Sequence, residues 1–273
     1  QPAAAPADST TPAVAAAPAA PTLSDGEQRA FLAKADIVKW KETSKGVTRP
    51  LKMTLPDGAL THSAAFQRVD IRKARAEMKN GTEMNFRDYY GFNIAAHHLA
   101  CLINRCDLVP AAVEREWRGE SGSLVWWVDD VLMDENDRIK NKVEPPEAAR
   151  WVRQQYLGRL FSELTGDVDR NQTNILITKD WDVVLIDFSR AFRHHKTPRP
   201  ALHTVQRVEP EVLDGLRALT KESVKGAAGR WLSGFEIDAL LARRDAIVAH
   251  LDRLIATKGH TQVVYPVVEM AAS

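Results

Sequence analysis

Alternating apolar and polar positions dominate the first half of this chain, and three- and four-residue apolar spacing dominates the second. Glu27 to Val38 reads as a short helix, or a helix that gives way to a strand. Beyond it, Leu51, Met53 and Leu55 share one face of an extended segment while Lys52 and Thr54 take the other. Pro56-Asp57-Gly58 turns that strand into a second one, through Ala64 to Arg68. Asn93 to Asn104 then carries Ala95, Ala96, Leu99 and Ile103 on one side of a predicted helix. VERE and SLVWWVDDVLM read as two further strands around Gly119 to Gly122. The order is strand, strand, helix, strand, strand.

From Pro145 and Pro146 onward the pattern becomes helical. Glu147 to Thr165 sets Leu157, Leu160, Phe161 and Leu164 on one side. Ser233-Gly-Phe-Glu236 is a capping box that opens a long amphipathic helix with Ile237, Leu240, Leu241, Val248, Leu251 and Leu254 inward. The arginines and aspartates of that helix are expected on a solvated face. Between the two helices, Ile175 to Thr178 and Val183 to Ile186 read as short strands joined by a Lys-Asp-Trp-Asp turn. No internal repeat is visible.

That hairpin carries the chemistry. In GDVDRNQTNILITKDWDVVLIDFS, Gly166 to Ser189, the residues Asp169 and Asn174 form a D-x-x-x-x-N pair, and Asp187 opens a D-F-S. A hairpin between Asn174 and Asp187 returns its two ends to one place, so these two become neighbours. Asp169 suits a group that takes the proton of an attacking hydroxyl, while Asn174 and Asp187 offer hard oxygen ligands for Mg2+. Read only as turn residues, Asp169 and Asn174 would need no such combination.

The stretch resembles the catalytic core of the protein-kinase-like superfamily. Asp169-Arg170-Asn171 is closer to the D-R-H of phosphatidylinositol 3- and 4-kinases and secretory-pathway Golgi kinases than to H-R-D, and HipA-type kinases belong with the same atypical branch. The chain also resembles a group of uncharacterised, exported bacterial proteins with the D-R-N…N…D core. The resemblance covers about Leu32 to Tyr265 and is specific only in the second half. It implies a two-lobed α+β fold: a small antiparallel-sheet N-lobe over residues 27–133 and a mainly helical C-lobe over 134–273. Mg-ATP would be the cofactor, with Mn2+ as an alternative ion, and a hydroxyl on a protein, lipid, sugar or small molecule would be the acceptor.

By the same resemblance a phosphate loop, a third-strand lysine and a helix glutamate are expected. Thr43 to Thr48, with Gly46 alone as glycine, is the loop candidate. The lysine position falls on Gln67 and the glutamate position on Asn93, so two amides stand where an ion pair is expected. Replacing both charges together avoids stranding one of them. Three completions are open. Lys52 on the neighbouring strand supplies the phosphate contact, or Glu83 or an arginine after the D-F-S, Arg190 or Arg193, completes the charge balance, or the chain is a pseudokinase that binds nucleotide or a partner. Trp126 and Trp127 precede Asp129 where the hinge would lie, one for the core and one for the adenine pocket; Asp129 is a further nucleotide contact.

Bulk properties narrow the remaining classes. With 273 residues and 44% hydrophobic content the chain can bury one large core or two small lobes. A net charge of +1 provides no electrostatic case for nucleic acid, and no apolar run reaches membrane-spanning length. Adjacent histidines at 97–98 and 194–195 do not make a zinc site. Walker A, H-E-x-x-H and G-x-S-x-G sequences are absent. Cys101 and Cys106 lie five apart and are expected as buried free thiols, since a helix would point them apart. Residues 1–26, rich in Ala and Pro, read as a tether, and the Gln at position 1 suggests a processed export product in the periplasm or outside the cell.

Overall fold

The computed structural model describes residues 23–43, 50–78 and 81–265. Helix α1 (Asp25–Lys34) opens on a reciprocal Ser24 and Glu27 capping box. It stops at Ala35, whose backbone is extended, and hands the chain to a strand. Strands β1 (Lys39–Glu42), β2 (Leu51–Asp57) and β3 (Leu60–Gln67) form an antiparallel meander.

The hairpin β4 (Asp70–Met78) and β5 (Gly81–Tyr89) follows, then α2 (Gly91–Leu102), β6 (Ala112–Trp117) and β7 (Glu120–Trp126). Strand β7 pairs with β3, which closes a five-stranded sheet in the order β1-β2-β3-β7-β6. Leu51, Met53, Leu55, Ala64, Phe66 and Leu124 pack on Phe31 and Leu32 of α1 in a small core of their own. The period-two pattern of β2 is therefore real: one face lies under α1, and the Lys52, Ala65 and Gln67 face looks the other way.

The segment SLVWWVDDVLM is not one strand. It breaks after Trp126, Asp130 adopts a φ of 53°, and β8 (Val131–Asp134) leaves the first sheet to pair with β9 (Ile175–Thr178). Four residues thus join the two sheets. Next come α3 (Glu135–Lys140), α4 (Ala148–Thr165), β9, β10 (Val183–Leu185), and the helices α5 (Pro210–Ala218), α6 (Lys221–Ala228), α7 (Gly234–Lys258) and α8 (His260–Val263). The apolar sides of α2, α4 and α7 meet β9 and β10 in a single larger core.

Three expectations are corrected. The β4–β5 ribbon was not legible because charge occupies both of its faces, from Arg72, Lys73 and Arg75 to Glu83 and Arg87. Its base is anchored by the Tyr89 N–H donating to the Ser189 carbonyl at 2.8 Å. Cys101 and Cys106 are bonded to each other rather than free. The helix ends at Leu102, and Asn104, at φ 62°, reverses the chain and brings the second cysteine back.

The arginines of α7 are not all solvated either. Arg243 is 0% exposed and donates to the carbonyls of Leu164, Arg193 and His195 at 3.0, 2.7 and 2.5 Å. Burial pushes its guanidinium down to about 10, with Glu163 opposing. Gly166 ends α4 in the left-handed conformation, and a Cβ there would lie 2.8 Å from the Arg243 guanidinium carbon. One side chain thus ties the start of the D-R-N loop to the segment after D-F-S.

Candidate active site

Helix α4 delivers the chain to the loop at Asp167, Asp169 and Arg170. Asp167 is buried and pairs with Arg170 at 2.5 Å, and its other oxygen accepts the Asp169 N–H at 2.9 Å. Arg170 then donates to the carbonyls of Asn174 and Ile186 and lies 4.3 Å over the Phe188 ring. It acts as an internal strut. Because its partners come from the loop, from β9 and from D-F-S, Arg170 holds all three segments in one register.

The Ile186 N–H donates to the Asn174 carbonyl at 3.1 Å, extending the β9–β10 pairing by one step. Asn174 and Asp187 are accordingly neighbours. Asp187 sits at φ 56°, an uncommon backbone for a residue with a side chain, and its carboxylate is exposed. Phe188 is buried against Phe161. The buried ring anchors the turn that presents the carboxylate.

Gln67 and Asn93 meet as a pair of amides. Asn93 donates to Gln67 Oε1 at 2.5 Å and to Ser123 Oγ at 3.1 Å, and its own Oδ1 accepts the Phe188 N–H at 2.8 Å. Gln67 Nε2 faces Asp187 Oδ1 at 3.4 Å. A neutral network therefore runs from β7 through α2 and β3 to D-F-S, with no buried charge left over.

Lys52 pairs with Ala65 across the sheet, two residues nearer the hinge than Gln67 on the same face. Its ammonium stands 3.8 Å over Trp127, and its pKa is lowered by burial and then by Lys41, with Asp129 opposing. Trp126 turns the other way, onto Phe31 and the stacked ring of His62. Asp129 lies 2.7 Å from His62 Nε2. Gly46 and its loop lie outside the described residues.

Of the groups around Asp169, the sequence offered Glu83 as one completion and gave no sign of Asp88. Glu83, on the ribbon, binds both Arg190, at 2.5 Å, and Arg193, and Arg190 reaches on to Asp169 at 3.7 Å. Burial raises the Asp169 carboxyl pKa, Arg190 pulls it back, and Asp167 and Asp187 push it up again. Asp88, at the ribbon's base, is 9% exposed and has one oxygen without a hydrogen-bond donor. Its pKa is raised by burial first; a bond from Ser189 opposes this, and Asp187 and Asp169 add to it. No motif spacing marks Asp88, because it arrives on an inserted ribbon.

These groups suit a hard divalent cation. Asn174 is brought beside Asp187 by the backbone pairing of the hairpin, Asp88 is near enough to Asp187 for its charge to raise the Asp88 pKa, and the oxygens of these side chains are of the kind a hard divalent cation takes.

No protein-family model matches the chain, and no curated protein matches it in sequence. Solved structures do match in shape. A hydra Fam20 solved with sugar has a TM-score of 0.64 at 15% identity, covering 88% of this chain and 93% of that one. The Golgi casein kinase with Mn and ADP bound has 0.62 at 11% identity, covering 88% and 78%. The chain has an atypical protein-kinase-like fold. A proinflammatory kinase of Helicobacter pylori, CtkA, adds a TM-score of 0.51 at 12% identity over 82% of this chain and 98% of its own. In this kinase-like frame the small antiparallel sheet and the helical region correspond to the expected α+β architecture.

Proposed function

We propose that this chain is a phosphotransferase that uses Mg-ATP to modify a hydroxyl acceptor. The observation that carries the reading is the convergence of Asp169, Asn174 and Asp187, held by Arg170 on one side and by the Gln67 and Asn93 amides on the other. Asp169 accepts the proton of the acceptor hydroxyl as the new O–P bond forms and the bond to the leaving ADP breaks. Its raised pKa makes it a better proton acceptor than an open carboxylate. Asn174 and Asp187 would hold Mg2+ or Mn2+, with Asp88 beside them, and the ion would neutralise charge on the phosphate oxygens.

The nucleotide lies between the lobes, which we place on either side of residues 127–130. Trp127 and Lys52 border the base end, Asp129 stands at the hinge, Gln67 and Asn93 take the phosphate end and Gly46 belongs to the covering loop. The Golgi casein kinase was solved with Mn and ADP, which supports this choice of cofactor. Of the three completions, Glu83 with Arg190 and Arg193 has the geometry, since one guanidinium spans Glu83 and Asp169. A nucleotide-binding module without turnover has no need of Asp169, Asn174 and Asp187 together, so we do not favour it.

The disulfide in an otherwise cysteine-free chain supports export to an oxidising compartment. Among the described residues no helix is long and apolar enough to cross a membrane.

The test is thermal stabilisation by ATP with Mg2+ or Mn2+, combined with product formation. Wild type should be stabilised, Asp187→Ala should lose the metal-dependent part, and Asp169→Ala should keep it while losing turnover by at least a hundredfold. Unchanged turnover in Asp169→Ala would sink the assignment.

A further inference from the structure

A cavity of about 380 Å³ opens beside the catalytic loop, and neither Gln67 nor Asn93 is among its lining residues. Glu83 and Arg87 of the ribbon, Val168 of the loop, Arg193 and His195 after D-F-S, and Glu236 at the start of α7 line it. That volume falls within the range of small-molecule sites. Val168 immediately precedes Asp169, and Arg190 links the wall residue Glu83 to the Asp169 carboxylate. Whatever occupies the cavity therefore sits next to the proposed base.

Its walls are short of acceptors. Arg87 Nε, Arg193 Nε and His195 Nε2 are buried without any hydrogen-bond partner, and Arg193 as a whole is 8% exposed. The two wall carboxylates are already engaged, Glu83 by Arg190 and Arg193, and Glu236 by the Ser233 N–H at 2.6 Å. Buried guanidinium N–H groups without acceptors are costly unless a ligand satisfies them. Planar N–H donors match the oxygens of phosphate and carboxylate. At the rim, Met84 and Phe235 are 64% and 78% exposed, with the Phe235 ring 6.3 Å from that of His194. They offer apolar surface to the carbon skeleton of a bound compound.

We infer that this cavity is the acceptor subsite, and that the acceptor is a small hydroxylated compound bearing a phosphate or carboxylate group, held by Arg87 and Arg193 with its hydroxyl toward Asp169. The inference rests on the phosphotransferase reading for the role of Asp169, but the binding itself does not.

The experiment is calorimetric titration of the full chain, without nucleotide, with glucose 6-phosphate, glucuronate, inorganic phosphate and glucose. The first two should bind at least tenfold more tightly than glucose, and the tighter of them identifies the anionic group. Arg193→Gln and the more exposed Arg87→Gln should each weaken that binding tenfold or more, and Arg87→Gln should leave stabilisation by Mn-ATP unchanged. Asp169→Asn should bind the same probes as wild type. Equal binding of glucose, binding of inorganic phosphate as tight as that of the sugar phosphate, no binding of either anionic sugar, or indifference to Arg87→Gln would overturn the inference. If nucleotide fails to bind while the anionic sugars do, the phosphotransferase reading falls and the cavity assignment stands.

Discussion

Asn93 Nδ2 lies 2.5 Å from Gln67 Oε1, so two amides meet where a charged lysine and glutamate are expected in this fold. Since Asn93 also accepts the Phe188 N–H, the same contact sets the position of D-F-S. Either charge introduced alone is buried without its counterpart. Gln67→Lys and Asn93→Glu should each cost about 2–4 kcal/mol in urea denaturation. The double substitution should recover at least ~1 kcal/mol relative to their sum. Strict additivity would show that the two positions do not act as a pair.

Arg243 supplies the only side chain among the described residues that bonds the carbonyls of Leu164, Arg193 and His195 together. Arg243→Met keeps much of the volume but leaves three buried acceptors unpaired. We expect a loss of about 3–5 kcal/mol. Gly166→Ala should cost about 1–3 kcal/mol, because it adds a Cβ at φ 60° against the same guanidinium. Equilibrium denaturation measures both, and a loss under ~1 kcal/mol for Arg243→Met would show that Arg243 does not brace these three carbonyls.

Stability should fall as the solution is acidified from about pH 6.5 to about pH 4. His98 is held down to about 4, by burial first and by His97 and Arg29 after it, against an ordinary value of 6.5. Above 6.5 both the folded and unfolded forms are neutral, so the stability is fully present. Between 6.5 and 4 only the unfolded chain takes up the proton; below 4 both forms are protonated and the loss levels off. The full shift would correspond to roughly 3 kcal/mol, and screening by solvent at the partly exposed ring brings the expected span to about 2 kcal/mol or less. His195, also held near 4, adds in the same direction. The raised carboxyls of Asp88 and Glu209 act oppositely. The clean measurement is therefore the difference in unfolding free energy between wild type and His98→Phe, which retains an aromatic ring beside Trp231. A pH-independent difference would contradict the assignment.

Much of this protein is written in local patterns. The alternation in β2, the capping box at Ser233, the apolar side of α4 and the hairpin between Asn174 and Asp187 all follow from spacing along the chain, because each depends on neighbours a few residues away. The Gln67 and Asn93 pairing was legible for a different reason: both sites of an expected ion pair had changed together. Arg243 shows where local reading stops. It falls between Leu240 and Ile247 on the buried stripe of α7, yet only the arrival of the carbonyls of Leu164, Arg193 and His195 makes burial of that charge tolerable.

What tertiary structure alone decided lies far apart in sequence. The β4–β5 ribbon has charge on both faces, so periodicity could not mark it, and its role comes from docking at D-F-S. That docking carries Asp88 to the metal-ligand candidates and Glu83 to Arg190 and Arg193. The disulfide depended on one reversal at Asn104 after the end of a helix. The cavity beside Asp169 is assembled from four separate segments, and no pattern within any one of them announces a space between all four. Chain chemistry by itself determined which residues could do phosphoryl transfer, and long-range packing determined which of them meet.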